Sequence, residues 1–150
     1  MNGMEWRWLA FDELTGSELY AVLQLRSEVF VVEQHCVFQD MDGADAQALH
    51  LLGMRDGVLV AYARCFAAGC KFAEASIGRV LTHASLRGSG VGHDLIEKAI
   101  ACLIQQWGLQ AIRIGAQQHL KAFYRQHGFE QAGPHYLEDG IDHIEMLRSV

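Results

Sequence analysis

A run of three glycines could bind an anion. It lies within "LRGSGVGHDL", residues 86–95, where Arg87 stands directly before the glycines and an apolar helix pattern begins directly after them. Glycine has no Cβ, so backbone N–H groups in such a run can approach a ligand closely. The first N–H groups of a helix lack intrahelical partners, and the helix dipole favours negative charge there. The pattern therefore predicts a phosphate-binding loop, and the alternative is a tight turn that binds nothing.

Two familiar glycine-rich phosphate motifs do not fit this run. A P-loop needs Gly-Lys-Ser/Thr at the start of its helix, whereas this chain has Gly92-His93-Asp94. A dinucleotide-binding fingerprint needs its third glycine at the position of His93, and it needs a later acidic residue in a second βα unit. The chain lacks both features. What remains is an Arg87-x-x-Gly90-x-Gly92 pattern after a predicted strand.

A tyrosine further along the chain could supply a proton. It is Tyr124, in the segment "FYRQHGF" at residues 123–129. A phenol with an ordinary pKa near ~10 keeps its proton at neutral pH and can give it to a leaving group. Helical spacing offers a second interpretation, in which Tyr124 is a packing residue on one helix face. That face would consist of Leu120, Phe123, Tyr124 and His127.

The first half of the chain contains patterns for strands around one helix. Weak alternation at residues 5–14 predicts a first strand, and Ser17 is the expected N-cap of a helix over residues 18–34. An Asp56-Gly57 pair between two apolar runs predicts a hairpin with a tight turn. These elements would precede the glycine run and form one side of a sheet.

The second half continues the alternation of strands and helices. Residues 91–107 carry apolar side chains at helical spacing, and Gly128 is expected to end a short helix over residues 118–126. The remaining strands are predicted at residues 75–83, 110–116, 129–137 and 141–150. The order is β-α-β-β-β-α-β-α-β-β, so we expect an α/β sheet with helices packed on it.

Composition limits the class of protein. The 150 residues are 51% hydrophobic and 20% charged, which suits one globular domain over residues 1–150. The net charge of −6 argues against nonspecific nucleic-acid binding, which needs a basic surface. No apolar run approaches the ~20 residues of a membrane span, and the N-terminus is unlike a signal peptide. We therefore expect a cytoplasmic protein without nucleic-acid or membrane partners, and both a monomer and a homodimer remain open.

Neither the cysteines nor the acidic stretch predicts a metal site. Cys36, Cys65, Cys70 and Cys102 form no C-x-x-C pair, and buried free thiols are the expectation. The stretch "QDMDGADAQ", residues 39–47, lacks the spacing and the terminal glutamate of a calcium-binding EF-hand loop. We interpret it as a solvated loop or as a loop that borders a cationic amine acceptor.

The glycine run and the tyrosine segment together resemble a known family. Arg87-Gly88-Ser89-Gly90-Val91-Gly92 is similar to the R/Q-x-x-G-x-G/A motif of the GNAT N-acetyltransferases, and residues 123–129 resemble the F-Y-x-x-x-G-F signature of the same family. More narrowly, "FVVEQHCVFQDMDGAD" and "YLEDGIDHIEM" resemble the ElaA-type subgroup. The resemblance implies the GNAT fold, a mixed and mostly antiparallel sheet of about seven strands flanked by helices.

The resemblance also implies a co-substrate and the residues that hold it. Acetyl-CoA would place its pyrophosphate on the backbone of residues 88–92, and its pantetheine arm would pair with the preceding strand as an added strand does. Gln117 stands where the family often has an asparagine, and Ala84 stands where it often has a proline. The expected cofactor-binding residues are Val80, Leu81, Thr82, Arg87, Gly88, Ser89, Gly90, Val91, Gly92 and Gln117, with Tyr124 as the general acid.

Several residues could serve the acceptor amine, which must be neutral before it attacks. Strand periodicity puts His143 on a face with Ile141, which favours a packed or surface histidine. Glu33 and Gln34 follow an apolar run and either point into the cleft or are solvated at a helix end. The choice of general base stays open among Glu33, His135, Glu138, Asp139 and His143.

Arg26 interrupts the apolar stripe of the first predicted helix. One interpretation is that its stem lies on apolar surface and its head extends into water. The other is that Arg26 reaches the acceptor cleft and pairs with a substrate carboxylate or with Glu33. The expected substrate-binding residues are therefore Arg26, Glu33, Gln34 and His143.

These observations predict an enzyme that transfers an acetyl group from acetyl-CoA to a primary amine of a small molecule or peptide, without a metal. Two alternatives remain open, a non-catalytic acyl-CoA-binding module that senses cofactor levels and an N-acyltransferase that uses a longer acyl-CoA. Tyr124 favours an enzyme, because a pure binding module would not need a proton donor beside the cofactor loop.

Overall fold

A seven-stranded sheet forms the centre of the computed structural model, which describes residues 3–150. The strands are β1 (Met4–Ala10), β2 (Leu49–Arg55), β3 (Val58–Phe66), β4 (Ala75–Thr82), β5 (Ile112–Gln117), β6 (Phe129–Glu138) and β7 (Ile141–Arg148). Their order across the sheet is β1-β2-β3-β4-β5-β7-β6, and each neighbouring pair is antiparallel except β4 with β5. The predicted element order and the mostly antiparallel sheet are confirmed.

Within residues 3–150, three α-helices accompany the sheet: α1 (Gly16–Arg26), α2 (Val91–Trp107) and α3 (Lys121–Arg125). Helix α2 directs a broad apolar face at the core, where Leu95, Ala99 and Leu103 are completely buried. These residues recur every four positions, which is the spacing of one helix face. Their burial fixes the start of α2, and with it the glycine run, against the sheet.

Helix α1 begins and ends earlier than its sequence pattern predicts. Its N-cap is Thr15, whose hydroxyl accepts a hydrogen bond from the N–H of Glu18 (3.1 Å), while the Glu18 carboxylate accepts one from the N–H of Thr15 (2.9 Å). This reciprocal capping box satisfies two N–H groups at once. The prediction of Ser17 as the N-cap is therefore wrong. Beyond Arg26 the chain continues as a wider π-helical segment, Ser27–Glu33.

The predicted hairpin joins β2 to β3 through a two-residue turn. Asp56 and Gly57 both have positive φ, +52° and +77°, as a type I′ turn requires. Arg55 and Val58 pair on either side of the turn, so the register of the two strands follows from the turn itself.

The sheet opens between β4 and β5. Within the described part of the chain, these strands pair only at Ala75–Ile112 and Ser76–Arg113, and they diverge beyond those positions. Diverging strands leave backbone N–H and C=O groups without a sheet partner along the facing edges. The opening therefore provides an unpaired strand edge inside the molecule, next to the glycine run.

Strand β4 carries a bulge at this opening. The pairs Tyr62–Leu81 and Arg64–Gly78 enclose one residue on β3 and two on β4. Arg79, within the bulge, has a φ of +50°, a conformation that side chains other than glycine rarely adopt. Bulges bend a strand and redirect its side chains, and they are frequent beside active sites.

The three aspartates of residues 39–47 are paired with two buried arginines. Arg26 is completely buried, and it donates to Asp40 (2.8 Å) and Asp45 (2.7 Å). Arg64, which is 1% exposed, donates to Asp42 (2.8 Å) and to Asp45 (2.9 Å). We call these three aspartates and two arginines, together with Arg79 of the bulge, the buried charge cluster.

The buried charge cluster corrects three predictions. Arg26 neither extends into water nor reaches the acceptor cleft, because two carboxylates hold its guanidinium in the interior. Residues 39–47 are not an acidic border for an amine, because their carboxylates face arginines. Six of these nine residues are nevertheless exposed, as expected of a solvated loop. Arg79 adds a close ion pair with Asp40 (2.8 Å) and so links this loop to the β4 bulge.

The cysteines are free thiols, and Cys36 and Cys65 are buried as predicted. Cys70 is exposed and Cys102 is half-buried, so the prediction of burial is wrong for Cys70. Among residues 3–150 no group of three His, Cys, Asp or Glu side chains is arranged to hold a metal ion. Over the same residues, no helix has the length and apolar character needed to cross a bilayer.

Candidate active site

The opening between β4 and β5 forms a cleft of about 870 Å³. This volume is in the range of cofactor and substrate sites, roughly 300–1,000 Å³. Residues of β4, of β5, of the π-helical segment and of the glycine run line it together. Of the predicted cofactor-binding and catalytic residues, the cleft is lined by Val80, Leu81, Thr82, Arg87, Gly88, Gly90, Gly92, Gln117 and Tyr124. Of the predicted substrate-binding residues, it is lined by Glu33, Gln34 and His143.

The glycine run forms an open backbone cradle at the start of α2. Gly88 and Gly90 have φ angles of +82° and +89°, and a Cβ added at either would meet no atom within 4 Å. Gly92 already lies in the helix, and a Cβ there would contact the Phe123 ring at 3.6 Å. The first carbonyl used by the helix is that of Gly90, so the N–H groups of Val91 and Gly92 precede the helical hydrogen bonds. The cradle therefore offers N–H groups and space to an anion.

A charged pair crosses the cleft beside this cradle. Arg87 lies next to the first cradle glycine and forms an ion pair with Glu33 of the π-helical segment, with 2.6 Å between Nη2 and Oε1. The same Nη2 donates to the carbonyl of Thr82 (3.2 Å). Arg87 is thus held at the cleft with its guanidinium already oriented.

Tyr124 lies on α3 with its side chain buried beside the cleft, 6% exposed. Its ring packs edge-to-face against Phe123 and Phe129, with centroids 5.1 and 5.9 Å away. Burial raises the pKa of the Tyr124 phenol above its usual value near 10. The hydroxyl consequently keeps its proton at neutral pH and can act as a donor.

His143 lies on β7 and lines the same cleft. The periodicity of the strand had favoured a packed or surface histidine at this position. Its side chain is 9% exposed, and its Nδ1 lies 2.8 Å from the carbonyl oxygen of Ile141. Its Nε2 lies 3.6 Å from Oε2 of Glu138. Tyr136 stacks on the imidazole, with ring centroids 5.6 Å apart. One cleft therefore contains a backbone cradle, a buried phenol and an oriented imidazole.

Comparison with known proteins identifies the family. The sequence profile of a family described as an acetyltransferase (GNAT) domain matches residues 14–150. This chain belongs to the GNAT family. GNAT proteins act on amine acceptors with acyl-CoA, so the cleft is the candidate site of an acyl-CoA N-acyltransferase.

Individual GNAT relatives are similar over nearly the whole chain. Protein ElaA of Escherichia coli strain K12 is 44% identical over 149 residues, which is 98% of this chain and 97% of that protein. The crystal structure of Escherichia coli ElaA matches with a TM-score of 0.91 at 42% identity, covering 97% of this chain and 99% of that one. An acyl-CoA N-acyltransferase from Pseudomonas aeruginosa matches with a TM-score of 0.93 at 42% identity and the same coverage. The resemblance to the GNAT fold and to the ElaA-type subgroup is confirmed.

Some predicted site residues lie away from the cleft of this GNAT fold. The hydroxyl and N–H of Ser89 both bond back to the carbonyl of Leu86, and the Val91 side chain is buried in the core. Among the candidate bases, His135 is exposed on β6 and outside the cleft. Arg26 belongs to the buried charge cluster. For Ser89 and Val91 the side chains are thus not part of the lining.

Gln117 and Gln34 face each other across the cleft. Gln117 Nε2 lies 3.4 Å from Gln34 Oε1, which is a long hydrogen bond, and Gln117 pairs with His143 in the β5–β7 register. Gln117, at the asparagine position of the GNAT pattern, therefore has an amide within the cleft. The side chain has a donor and an acceptor for a ligand amide.

Sequence reasoning did not identify His93 and Arg79 as residues of the lining. His93 follows Gly92 directly, stacks on Phe123 (centroids 4.7 Å apart) and shares a hydrogen bond with His127 (2.9 Å). Its position one residue after the glycine run was the available signal. Arg79 also lines the cleft, but its position depends on the β4 bulge, which no local sequence pattern predicted.

Proposed function

We propose that this protein transfers an acetyl group from acetyl-CoA to a primary amine of a small molecule or peptide, by direct attack of the amine. The observation that carries the proposal is the single cleft between β4 and β5, which contains the glycine cradle together with Tyr124. A binding site for an acyl donor and a proton donor for its leaving group are therefore contiguous.

The residues of the cleft fit acetyl-CoA along its length. The N–H groups of the cradle and the Arg87 guanidinium suit a pyrophosphate, because charge-assisted hydrogen bonds to phosphate are strong. The unpaired edge of β4, at Val80, Leu81 and Thr82, suits the amides of a pantetheine arm, which pairs as an added strand would. Gln117 supplies a further amide on the opposite wall.

Tyr124 is the proposed general acid. When the amine attacks the thioester carbon, the C–S bond breaks and the departing sulfur gains negative charge. The Tyr124 phenol, whose pKa burial raises, donates its proton to that sulfur or hydrogen-bonds to it. Because the same burial disfavours the phenolate, Tyr124 regains a proton readily before the next turnover.

The acceptor is proposed to be a cation before it reacts. Glu33, Glu138 and Asp139 line the cleft, and Arg87 neutralises the first of these. An acidic lining attracts an ammonium group and repels a carboxylate substituent close to it.

The four free cysteines support a location in the cytoplasm, where acyl-CoA is available and thiols stay reduced.

The test is a screen of primary amines with purified protein, acetyl-CoA and a free-thiol readout. We expect thiol release that depends on both the amine and the protein. In parallel, a hundredfold excess of acetyl-CoA over its Kd should stabilise the fold by ~2.7 kcal/mol, whereas NAD should have little effect. Stabilisation without thiol release for any amine would favour the non-catalytic acyl-CoA-binding module. Faster release from a longer acyl-CoA would favour the long-chain N-acyltransferase.

A further inference from the structure

His143 lines the cleft, and in its neutral form one of its ring nitrogens has a free lone pair. A carbonyl oxygen can only accept, so the 2.8 Å contact with Ile141 requires the hydrogen of the neutral imidazole to be on Nδ1. Nε2 then has its lone pair available. The stacked Tyr136 ring and the burial of the side chain hold the imidazole in this orientation.

A second acceptor stands next to Nε2. Oε2 of Glu138 lies 3.6 Å away, and with a neutral imidazole both atoms are acceptors. Two acceptors at this separation suit a ligand that offers two N–H hydrogens from one atom. A primary ammonium is such a group, because it carries three donors in a compact cation. The geometry therefore fits the protonated form of an amine acceptor.

We infer that His143 is the general base that deprotonates the acceptor amine, and that Glu138 positions the ammonium and pairs with the imidazolium that forms. This inference rests on the proposed function. The Nε2 lone pair of His143 takes one proton from the ammonium, which leaves a neutral amine and an imidazolium beside the Glu138 carboxylate. The amine nitrogen then forms its bond to the thioester carbon as the C–S bond breaks. Tyr124 protonates the departing sulfur, and the acylated nitrogen releases its second proton to water, from which Tyr124 is reprotonated. The proton on His143 leaves to water after product formation.

Such a base is needed because alkylamines are protonated at neutral pH. With a pKa near that of lysine, about 10.4, only roughly one molecule in two thousand is neutral at pH 7. Other ionisable groups contact His143 or line the same cleft. Tyr136 and Glu138 come from β6, Asp139 from the turn before β7, His119 from the segment after β5, and Glu33 from the π-helical segment. Glu33 is already paired with Arg87, whereas His143 combines burial with an oriented lone pair.

The kinetic test compares two amines of different basicity. Butylamine is an ammonium at pH 7, whereas 2,2,2-trifluoroethylamine is already largely neutral. We expect His143→Gln to lower kcat/KM for butylamine by about 10²-fold or more. With trifluoroethylamine the same variant should lose less than about fivefold.

The matched control is His135→Gln, since His135 is exposed on β6 and outside the cleft. It should behave as the wild type with both amines. Equal losses with both amines in His143→Gln would overturn the role of His143 as a base. If the wild type released no thiol with any amine, the proposed function would fail instead.

A measurement without turnover tests the same inference. Imidazole ¹⁵N spectra of the full chain, assigned with His143→Gln, should show the hydrogen on Nδ1 of His143 at neutral pH. Butylammonium, added as the probe, should shift the Nε2 resonance, and Glu138→Gln should weaken that response. A hydrogen on Nε2, or no response to butylammonium, would contradict the inference whether or not an acceptor has been found.

Discussion

The Arg87 guanidinium and the Glu33 carboxylate meet at 2.6 Å across the mouth of the cleft. Arg87 borders the glycine cradle, whereas Glu33 ends the π-helical segment, so the pair joins two elements that come from opposite halves of the chain. Both side chains are partly exposed, at 47% and 31%. A phosphate bound in the cradle would compete with Glu33 for the same guanidinium.

Glu33→Gln should strengthen acetyl-CoA binding, and Arg87→Gln should weaken it. Loss of the Glu33 charge releases Arg87 and removes a repulsive charge near the phosphates, so we expect a Kd about two- to fivefold lower at low salt. The difference should shrink at high salt because exposed charges are screened. Calorimetric titration at both salt concentrations measures it. Glu28→Gln, an exposed position in the same segment, is the control, and an equal gain there would indicate only a change in net charge.

Gly92→Val should weaken acetyl-CoA binding at least about tenfold, the effect of losing ~1.4 kcal/mol of contacts. Gly92 has a helical conformation, so the fold should tolerate the residue, but its branched side chain would enter the cradle beside Phe123. Ala101→Val puts the same side chain on an exposed face of α2 and should bind as the wild type. Wild-type affinity in a folded Gly92→Val protein would contradict the cradle as a phosphate site. Gly90 is a poorer test because its φ of +89° would strain a valine.

Tyr124→Phe should reduce kcat by about 10²-fold or more while the Kd for acetyl-CoA changes little. The substitution keeps the ring that packs on Phe123 and Phe129, so it removes only the proton donor. Steady-state kinetics at saturating acetyl-CoA, beside a binding titration, separate the two effects. Tyr20→Phe, on the exposed side of α1, should have no effect. Turnover within about twofold of the wild type, with chemistry limiting, would make Tyr124 a packing residue.

Asp45→Asn should lower the free energy of unfolding by about 1–3 kcal/mol, because two buried guanidiniums lose the carboxylate charge that they share and each keeps only one aspartate partner. Asp45 accepts from Arg26 and from Arg64, and both arginines are buried. Urea unfolding followed by circular dichroism measures the change. Asp56→Asn, in the exposed hairpin turn, should change the free energy by less than about 0.5 kcal/mol. A loss of the same small size at Asp45 would mean that the cluster adds little to stability.

Acid should destabilise the wild type through the same cluster. A hydrogen bond from Arg64 holds the pKa of Asp42 far below its usual value, and although burial alone would raise the pKa of Asp45, Arg26 and Arg64 lower it. A depressed folded-state pKa contributes stability above the unfolded value, about 3.9, and that contribution is lost as pH falls toward the folded-state value. The urea midpoint should therefore fall as pH drops from about 5 to about 2. Asp42→Asn should flatten this dependence, and an unchanged slope would assign acid sensitivity to other carboxylates.

The sequence by itself determined the elements with strong local patterns. Helix α2 was predicted at its observed bounds, because its apolar residues recur at one spacing and are buried on one face. The Asp56-Gly57 turn likewise follows from local preference for positive φ. The glycine run and Tyr124 were found because a backbone cradle and a phenol depend on residue type and short spacing.

Only the tertiary structure decided where charged side chains lie. Arg26 and the aspartates of residues 39–47 had to be interpreted separately, although they neutralise each other in the interior. Their pairing joins residues 14 and 19 positions apart through a loop without regular periodicity, so no local pattern encodes it.

The same reason applies to His143. The alternation of residues along β7 predicts which side chains share a face with His143. Whether that face lines a cleft depends on the divergence of β4 and β5, which opens the cleft beside it. The Ile141 carbonyl, two residues away, then fixes which nitrogen carries the hydrogen. The residue type made His143 a candidate base, whereas the packing of strands that are distant in sequence placed it at the cleft.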